Sequence, residues 1–353
     1  MKSIDTTGSY HEEIAKQNII KLREILDTLP LFCGQFFRGT QDYISSRTRI
    51  AYAYDIRVFL EYIHDTNPIL GKTPIREYPL EILDQITRLD IEEYMQYCSY
   101  YIKDGKEYMN DERGKARKLA SLRSFYNYYF QKELIQTNPP SLIPMPKLHE
   151  KEIIRLDADE VAILLDTVES GENLTKKQLE YHEKTKVRDV ALLTLLLGTG
   201  MRVSECVGID LHDVDFKNNG IKIQRKGGNE AVIYFGSEVE TALLDYIEQR
   251  NFIIPEEGHE KALFLSLQKK RISVRAVEKL VKKYAGLVTN LKKITPHKLR
   301  STYGTALYKE TEDIYLVADV LGHKDVNTTR KHYAAQADER RRMAAKAVKL
   351  REP

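Results

Sequence analysis

The sequence predicts a mainly α-helical protein of two domains, with one small antiparallel β-sheet in the second. Three observations lead there. Apolar residues recur at helical spacing along most of the chain. A proline-rich stretch, TNPPSLIPMPKLHEKEI (137–153), interrupts that pattern, and its four prolines forbid a regular helix. Two alternating runs flank Lys-Gly-Gly-Asn in GIKIQRKGGNEAVIYF (220–235), the mark of a β-hairpin whose glycines supply positive φ.

In order along the chain, residues 1–30 read as a helical lead-in, with Ile14, Ile19, Ile20, Leu22 and Leu26 at rough helical periodicity. Cys33-Gly34 and Gly39 then suggest a loop. SSRTRIAYAYDIRVFLEYIHD (45–65) opens with Ser/Thr cap candidates and places Tyr52, Ile56, Phe59 and Ile63 on one face. LDIEEYMQYCSYYI (89–102) and ARKLASLRSFYNYYFQKELI (116–135) read as further amphipathic helices, so the first domain is expected to be all helical. Its bounds are 1–137, followed by a linker at 138–155 and a second domain at 156–353. There a helix starts at 156–168 with Asp157 as N-cap. The polar segment 169–186 reads as a surface insertion. VRDVALLTLLLGTG (187–200) is a strongly apolar helix stopped by Gly198 and Gly200. After the hairpin come helical stretches at 236–252, 273–286, 297–309 and 314–321, and an Ala/Arg-rich helix at 337–351.

Bulk composition excludes several classes. Hydrophobic residues make up 42% and charged residues 30%, an ordinary balance for a folded domain. No apolar run reaches the roughly 18 residues of a membrane helix, and the N-terminus lacks the apolar core of a secretory signal. A cytoplasmic protein is expected. Cys33, Cys98 and Cys206 stand singly, which argues against zinc and structural disulfides and for buried reduced thiols. Net charge is only +3, so placement matters more than sum. Basic residues gather at 114–123, 268–283 and 338–351, at helical spacing that makes basic stripes.

Conspicuous polar residues sit at element ends: Arg202 and Glu205 in GTGMRVSE, Lys226 at the hairpin tip, His297 and Arg300 in TPHKLR, His323 in VLGHKD and Tyr333 in TTRKHY. Each alone has an ordinary explanation as a salt-bridge partner, an exposed lysine, a helix cap, a core histidine or one of 22 tyrosines. Together, and in this order, they resemble the catalytic domain of the tyrosine recombinase/integrase family. GTGMRVSE resembles the box of that family's first arginine, RKGG its hairpin lysine box, TPHKLR its His-x-x-Arg box, and LGHKDVNTTRKHY its terminal box. Thr48, Tyr52, Asp55 and Phe59, with ARKLASLRSFYNYY, resemble the family's helical core-binding domain. The chain's length, the 169–186 segment, RKGG and TPHKLR are most similar to Xer-type recombinases of Gram-positive bacteria. Two departures stand out: Ser301 follows the second arginine where the family often has His, and Tyr333 lies ten positions after His323, at the long end of the family's spacing.

The resemblance implies a two-domain, C-shaped clamp on double-stranded DNA, with a core-binding domain of the SAM-like type and a catalytic domain. It implies site-specific recombination through a 3′-phosphotyrosyl intermediate and a Holliday junction, in chromosome dimer resolution or in integration and excision of a mobile element. Tyr333 is the implied nucleophile and Lys226 the implied acid for the leaving 5′-hydroxyl. Arg202 and Arg300 suit the clamping of phosphate oxygens, because guanidinium is planar and always charged. His297 and His323 can donate hydrogen bonds and move protons. Glu205 suits the orientation of the cationic groups. A homotetramer on two DNA sites is implied, with helix 337–351 docked on a neighbouring protomer, the alternative being packing on its own domain. No metal-ligand set and no GxxxxGK[ST] motif occurs, so neither metal nor ATP is expected. Two rivals remain: strand relaxation of the type IB topoisomerase kind, and a catalytically silent DNA-binding regulator.

Overall fold

The computed structural model describes residues 10–149, 154–225, 228–289, 291–323 and 325–326. The chain divides into two compact units, with the boundary after Lys151.

The first unit contains α1 (Tyr10–Leu26), α2 (Leu31–Gly39), α3 (Ser46–Thr66), the single turn α4 (Ile82–Gln85), α5 (Arg88–Tyr97), β1 (Tyr100–Lys103), β2 (Lys106–Met109) and α6 (Glu112–Phe130). Ser45 caps α3 by accepting from the Thr48 N–H, and Asp111 caps α6 through Gly114. The core is aromatic. Phe32, Phe36, Phe59, Tyr94, Phe125, Tyr126 and Tyr129 are all buried, and Phe36 meets Phe125 edge to face at 5.2 Å. Pro139, Pro140 and Ile143 are buried as well, and Arg123 of α6 donates to the Pro140 and Ile143 carbonyls.

Two expectations fail here. Residues 31–39 form a helix, not a loop, because Phe32, Cys33, Phe36 and Phe37 all face the core. That burial outweighs the helix-weakening effect of Gly34. The segment 89–102 is not one helix. It stops at Tyr97, and Tyr100–Lys103 pairs antiparallel with Lys106–Met109, Tyr100 opposite Met109. Asp104 and Gly105, with φ of 49° and 69°, make the tight turn. The first unit therefore carries a hairpin and is not all helical.

The second unit contains α7 (Ala158–Ser170), α8 (Lys176–Thr199), α9 (Val203–Gly208), β3 (Val214–Asp215), β4 (Gly220–Gln224), β5 (Glu230–Tyr234), α10 (Ser237–Asn251), α11 (Val274–Val288), α12 (Pro296–Thr311) and α13 (Ile314–Leu321). The expected hairpin is β4–β5, with Ile221 opposite Ile233, and β3 adds a short third strand in the order β3-β4-β5. Asp157 stands at the N-cap of α7 as expected, and its backbone N–H donates to the Glu160 carboxylate at 2.8 Å. Helix α8 packs against α7, α10 and α12, burying Leu192, Leu193, Leu195 and Leu196. The polar segment 169–186 is not wholly a surface excursion, because α8 begins at Lys176 behind a Thr175–Gln178 capping box and buries His182 and Thr185. Its buried positions there are polar. The His182 imidazole and the Tyr284 hydroxyl lie 3.1 Å apart, and Tyr284 donates to Asp189, which also accepts from Thr185 and Arg188.

All three cysteines are buried, as the sequence suggests, and burial pushes the Cys206 thiol up to about 12. Among the described residues no helix is long and apolar enough to cross a membrane. The expected helix at 337–351 lies outside the described residues.

Candidate active site

Helix α8 ends in a left-handed glycine, Gly200, at φ 61°. A Cβ there would lie 2.3 Å from Tyr303 of α12, so glycine meets both the dihedral and the close approach. Two residues on, Arg202 opens α9. Glu205 accepts from the Arg202 backbone N–H and from its Nη1, each at 2.7 Å. Glu205 is buried, while the Arg202 side chain stays 35% exposed. The carboxylate thus holds the guanidinium from the protein side and leaves part of it open.

Arg300 comes from α12, whose first turn starts at Pro296, a position that suits proline. It is buried. Its Nη1 donates to the Gly200 carbonyl at 2.7 Å and its Nη2 to the Leu321 carbonyl. One turn earlier on α12 lies His297, exposed. The Ser301 hydroxyl donates to the His297 carbonyl at 3.1 Å, so the residue that departs from the family pattern is used within its own helix.

Helix α13 closes on Gly322, again left-handed at φ 61°, with the His323 N–H donating to the Ala318 carbonyl at 2.9 Å. This closure sets the start of the His323 turn, and His323 is half-buried. Three guanidinium groups from three elements converge on the end of α13. Arg225, just past β4, donates to the Val320 carbonyl at 3.2 Å; Arg300 donates to Leu321; Arg202 donates to Gly322 at 3.3 Å. The carboxyl end of a helix carries partial negative charge, which favours cations there.

The structure therefore brings Arg202, Glu205, Arg300 and the turn of His323 together, with His297 one helical turn from Arg300. Lys226 and Tyr333 lie outside the described residues. Arg225 was not among the sequence-derived candidates. A signal for it existed: Ile221 and Ile223 carry the buried side chains of β4, and Arg225 continues that alternation, so a charge falls on the inner side of the sheet and needs an acceptor. Asp210, His212 and Asp213 bring ligand-type atoms within 4.8 Å of one another. Asp210 is already paired with Arg271, and Asp213 accepts from the Asp210 N–H, so this cluster serves its own turn.

Comparison with known proteins fits this geometry. Residues 155–340 match the phage integrase family. The chain belongs to that family. It is 35% identical over 294 residues to the tyrosine recombinase XerC of Caldanaerobacter subterraneus subsp. tengcongensis, covering 81% of this chain and 77% of the relative. It is 29% identical over 301 residues to the tyrosine recombinase XerD of Staphylococcus epidermidis, covering 85% and 92%. Among solved structures, XerH recombinase bound to its difH substrate before cleavage aligns with TM-score 0.59 at 20% identity, over 83% of this chain and 79% of that one. A lambda integrase dimer bound to a core site aligns with TM-score 0.58 at 17% identity, over 88% and 94%. These two share the fold. Within the integrase family the chain is a site-specific tyrosine recombinase, an enzyme of Xer type that acts on DNA. Neither the topoisomerase reading nor the silent regulator is favoured by these matches.

Proposed function

We propose that this chain cuts and rejoins DNA at a specific site through a covalent 3′-phosphotyrosyl link at Tyr333. The observation that carries the reading is the convergence of Arg202 and Arg300 on the carboxyl end of α13, beside the turn of His323. A phosphodiester is anionic and repels nucleophiles, so its cleavage needs fixed positive charge around the transition state. Arg202 and Arg300 supply it, with Glu205 orienting Arg202. His297 and His323 donate hydrogen bonds and handle protons near neutral pH. A phenol ionises near pH 10, so Tyr333 relies on this cationic surrounding for activation. Lys226, on the hairpin, protonates the leaving 5′-hydroxyl. The phosphotyrosine conserves the bond energy, and attack by a second 5′-hydroxyl reseals the strand and restores the phenol.

Residues 1–137 act as the core-binding domain and 156–353 as the catalytic domain, closing on DNA as a clamp. Four copies assemble on two sites in the cytoplasm and exchange strands in pairs through a Holliday junction. The role is chromosome dimer resolution or movement of a mobile element, and sequencing of DNA recovered with the protein from cells separates the two and supplies the site. On a duplex carrying that site, Tyr333→Phe binds as the parent does but forms no denaturant-stable protein–DNA adduct. An adduct from that variant would remove Tyr333 as nucleophile and turn the test to Tyr315, exposed on α13.

A further inference from the structure

We propose that Arg225 is a positioning residue that ties the root of the Lys226 hairpin to the turn that presents His323. The inference rests on the reading of Lys226 as the general acid.

The backbone of Arg225 closes the hairpin turn. Its N–H donates to the Asn229 carbonyl at 2.7 Å, and its own carbonyl accepts from the Gly228 N–H at 3.1 Å. Gly228, at φ 86°, supplies the left-handed step of that turn. Lys226 is the next residue in the chain, so wherever the Arg225 backbone is held, the root of the lysine is held with it.

The side chain of Arg225 leaves the sheet and joins α13. Its Nη2 donates to the Val320 carbonyl at 3.2 Å. The rest of the guanidinium packs on Gly322: a Cβ built there would lie 2.3 Å from Arg225 Nη1 and 2.5 Å from Cζ. Gly322 is thus required twice, once by its φ of 61° and once by this contact. An ordinary surface arginine would extend into water. This one is half-buried and makes a charge-assisted bond to the negative end of a helix.

The consequence is a shared origin for the reacting groups. Arg225, Arg300 and Arg202 occupy the carbonyls of residues 320, 321 and 322 in turn. The hairpin is therefore indexed to the same three peptide groups as the two arginines of the proposed clamp. An acid displaced by about 1 Å can lose about 10²-fold in rate, so a hairpin root freed from α13 should slow protonation of the leaving group while leaving the clamp in place.

The test uses the full chain and two duplexes of the recovered site, one ordinary and one with sulfur in the 5′-bridging position, whose leaving group needs no acid. Single-turnover cleavage is measured at saturating DNA. Arg225→Met keeps the aliphatic stem and removes the donor. It should cleave ordinary DNA about 10- to 100-fold more slowly, a general-acid effect displaced but not deleted, and should be restored to near the parent rate on the sulfur substrate. Arg225→Gln keeps a donor for Val320 and should retain most of the ordinary rate. Equal loss on both substrates for Arg225→Met, with Lys226→Ala rescued, overturns the positioning role alone. A loss confined to salt-dependent DNA affinity also overturns it, since that marks a phosphate contact. Failure of Lys226→Ala itself to be rescued removes the acid assignment and this proposal together. Thermal melting runs alongside. If Arg225→Met does not fold, Arg225→Leu takes its place, since it too removes the donor to Val320 and leaves Gly322 unchanged, and absence of rescue there counts equally against the proposal.

Discussion

Each unit buries a carboxylate against a cation, and the two differ in what becomes of the cation. In the first, Asp55 of α3 meets the Lys118 ammonium from α6 at 3.3 Å, and the two side chains are 1% and 5% exposed. Arg117 pairs with the same carboxylate, and Lys118 lies 5.9 Å from the Tyr101 ring centroid. Burial raises the Asp55 carboxyl while Lys118 and Arg117 pull it back. In the second unit Glu205 is equally buried, yet its partner Arg202 keeps a third of its side chain in solvent. The Asp55–Lys118 pair is closed off and ties α3 to α6, with Arg117, 47% exposed, reaching the same carboxylate from the rim. The Glu205–Arg202 charge is held from behind and presented.

The largest expected effect tests the closed pair. Asp55→Ala leaves Lys118 buried without its carboxylate and should cost about 3–5 kcal/mol, read from urea unfolding by circular dichroism because the chain has no tryptophan. Replacing both partners, Asp55→Leu with Lys118→Met, should recover most of that loss, since the desolvation cost disappears with the charges. A single mutant within about 1 kcal/mol of the parent would mean the pair is not closed in solution.

Next in size is the presented cation. Arg202→Ala should slow formation of the covalent complex by about 10²-fold or more, the worth of one donor to a developing anion. Its unfolding midpoint should move far less than that of Asp55→Ala. Glu205→Gln keeps an acceptor for Arg202 but removes the charge, and should fall between Arg202→Ala and the parent. Near-normal cleavage by Arg202→Ala would take that residue out of the clamp and erase the contrast between the units.

The smallest effect concerns the polar network inside α8. Burial, reinforced by Lys283, holds the His182 imidazole below its ordinary 6.5. The unfolded chain then binds the proton more readily than the folded one, so stability is lost as pH falls below about 6.5. His182→Gln keeps a partner for Tyr284 and does not titrate. Its stability should change less between about pH 7 and about pH 5 than the parent's does. Parallel curves for the two proteins would assign that acid sensitivity to other groups.

Much of this was legible in the sequence where a side chain advertised its role. Ser45 and Asp157 marked helix starts, Gly200 and Gly322 marked helix ends, and Lys-Gly-Gly-Asn marked the β4–β5 turn. What escaped has physical reasons. Helix α2 was hidden because Gly34 and Gly39 read as loop while the decisive term, burial of Phe32, Phe36 and Phe37, is tertiary. The β1–β2 hairpin was hidden because Tyr and Ile suit a helix face as well as a strand, and the Asp104–Gly105 turn lies past the segment that looked periodic. The first turns of α8 were hidden because His182, Thr185 and Asp189 face inward, and apolar periodicity does not register a polar interior. At the site, the order of Arg202, Glu205, His297, Arg300 and His323 was readable. The meeting of arginines at the end of α13 was not, because their acceptors are peptide carbonyls, and every residue has one.

That last point bears on how such a chain tolerates change. A carboxylate partner vanishes with one substitution, but a carbonyl oxygen survives every substitution of its own residue. Position 320, only half-buried, is therefore free to drift among residues that keep α13 helical without loosening the grip of Arg225, whereas Leu321 is buried in the α12–α13 core and stays apolar for its packing, not for its bond to Arg300. The constraint passes instead to Gly322, whose dihedral and close contact admit no side chain. Random replacement across 320–322 should yield active clones that vary at 320, keep a large apolar residue at 321 and are monotonous at 322.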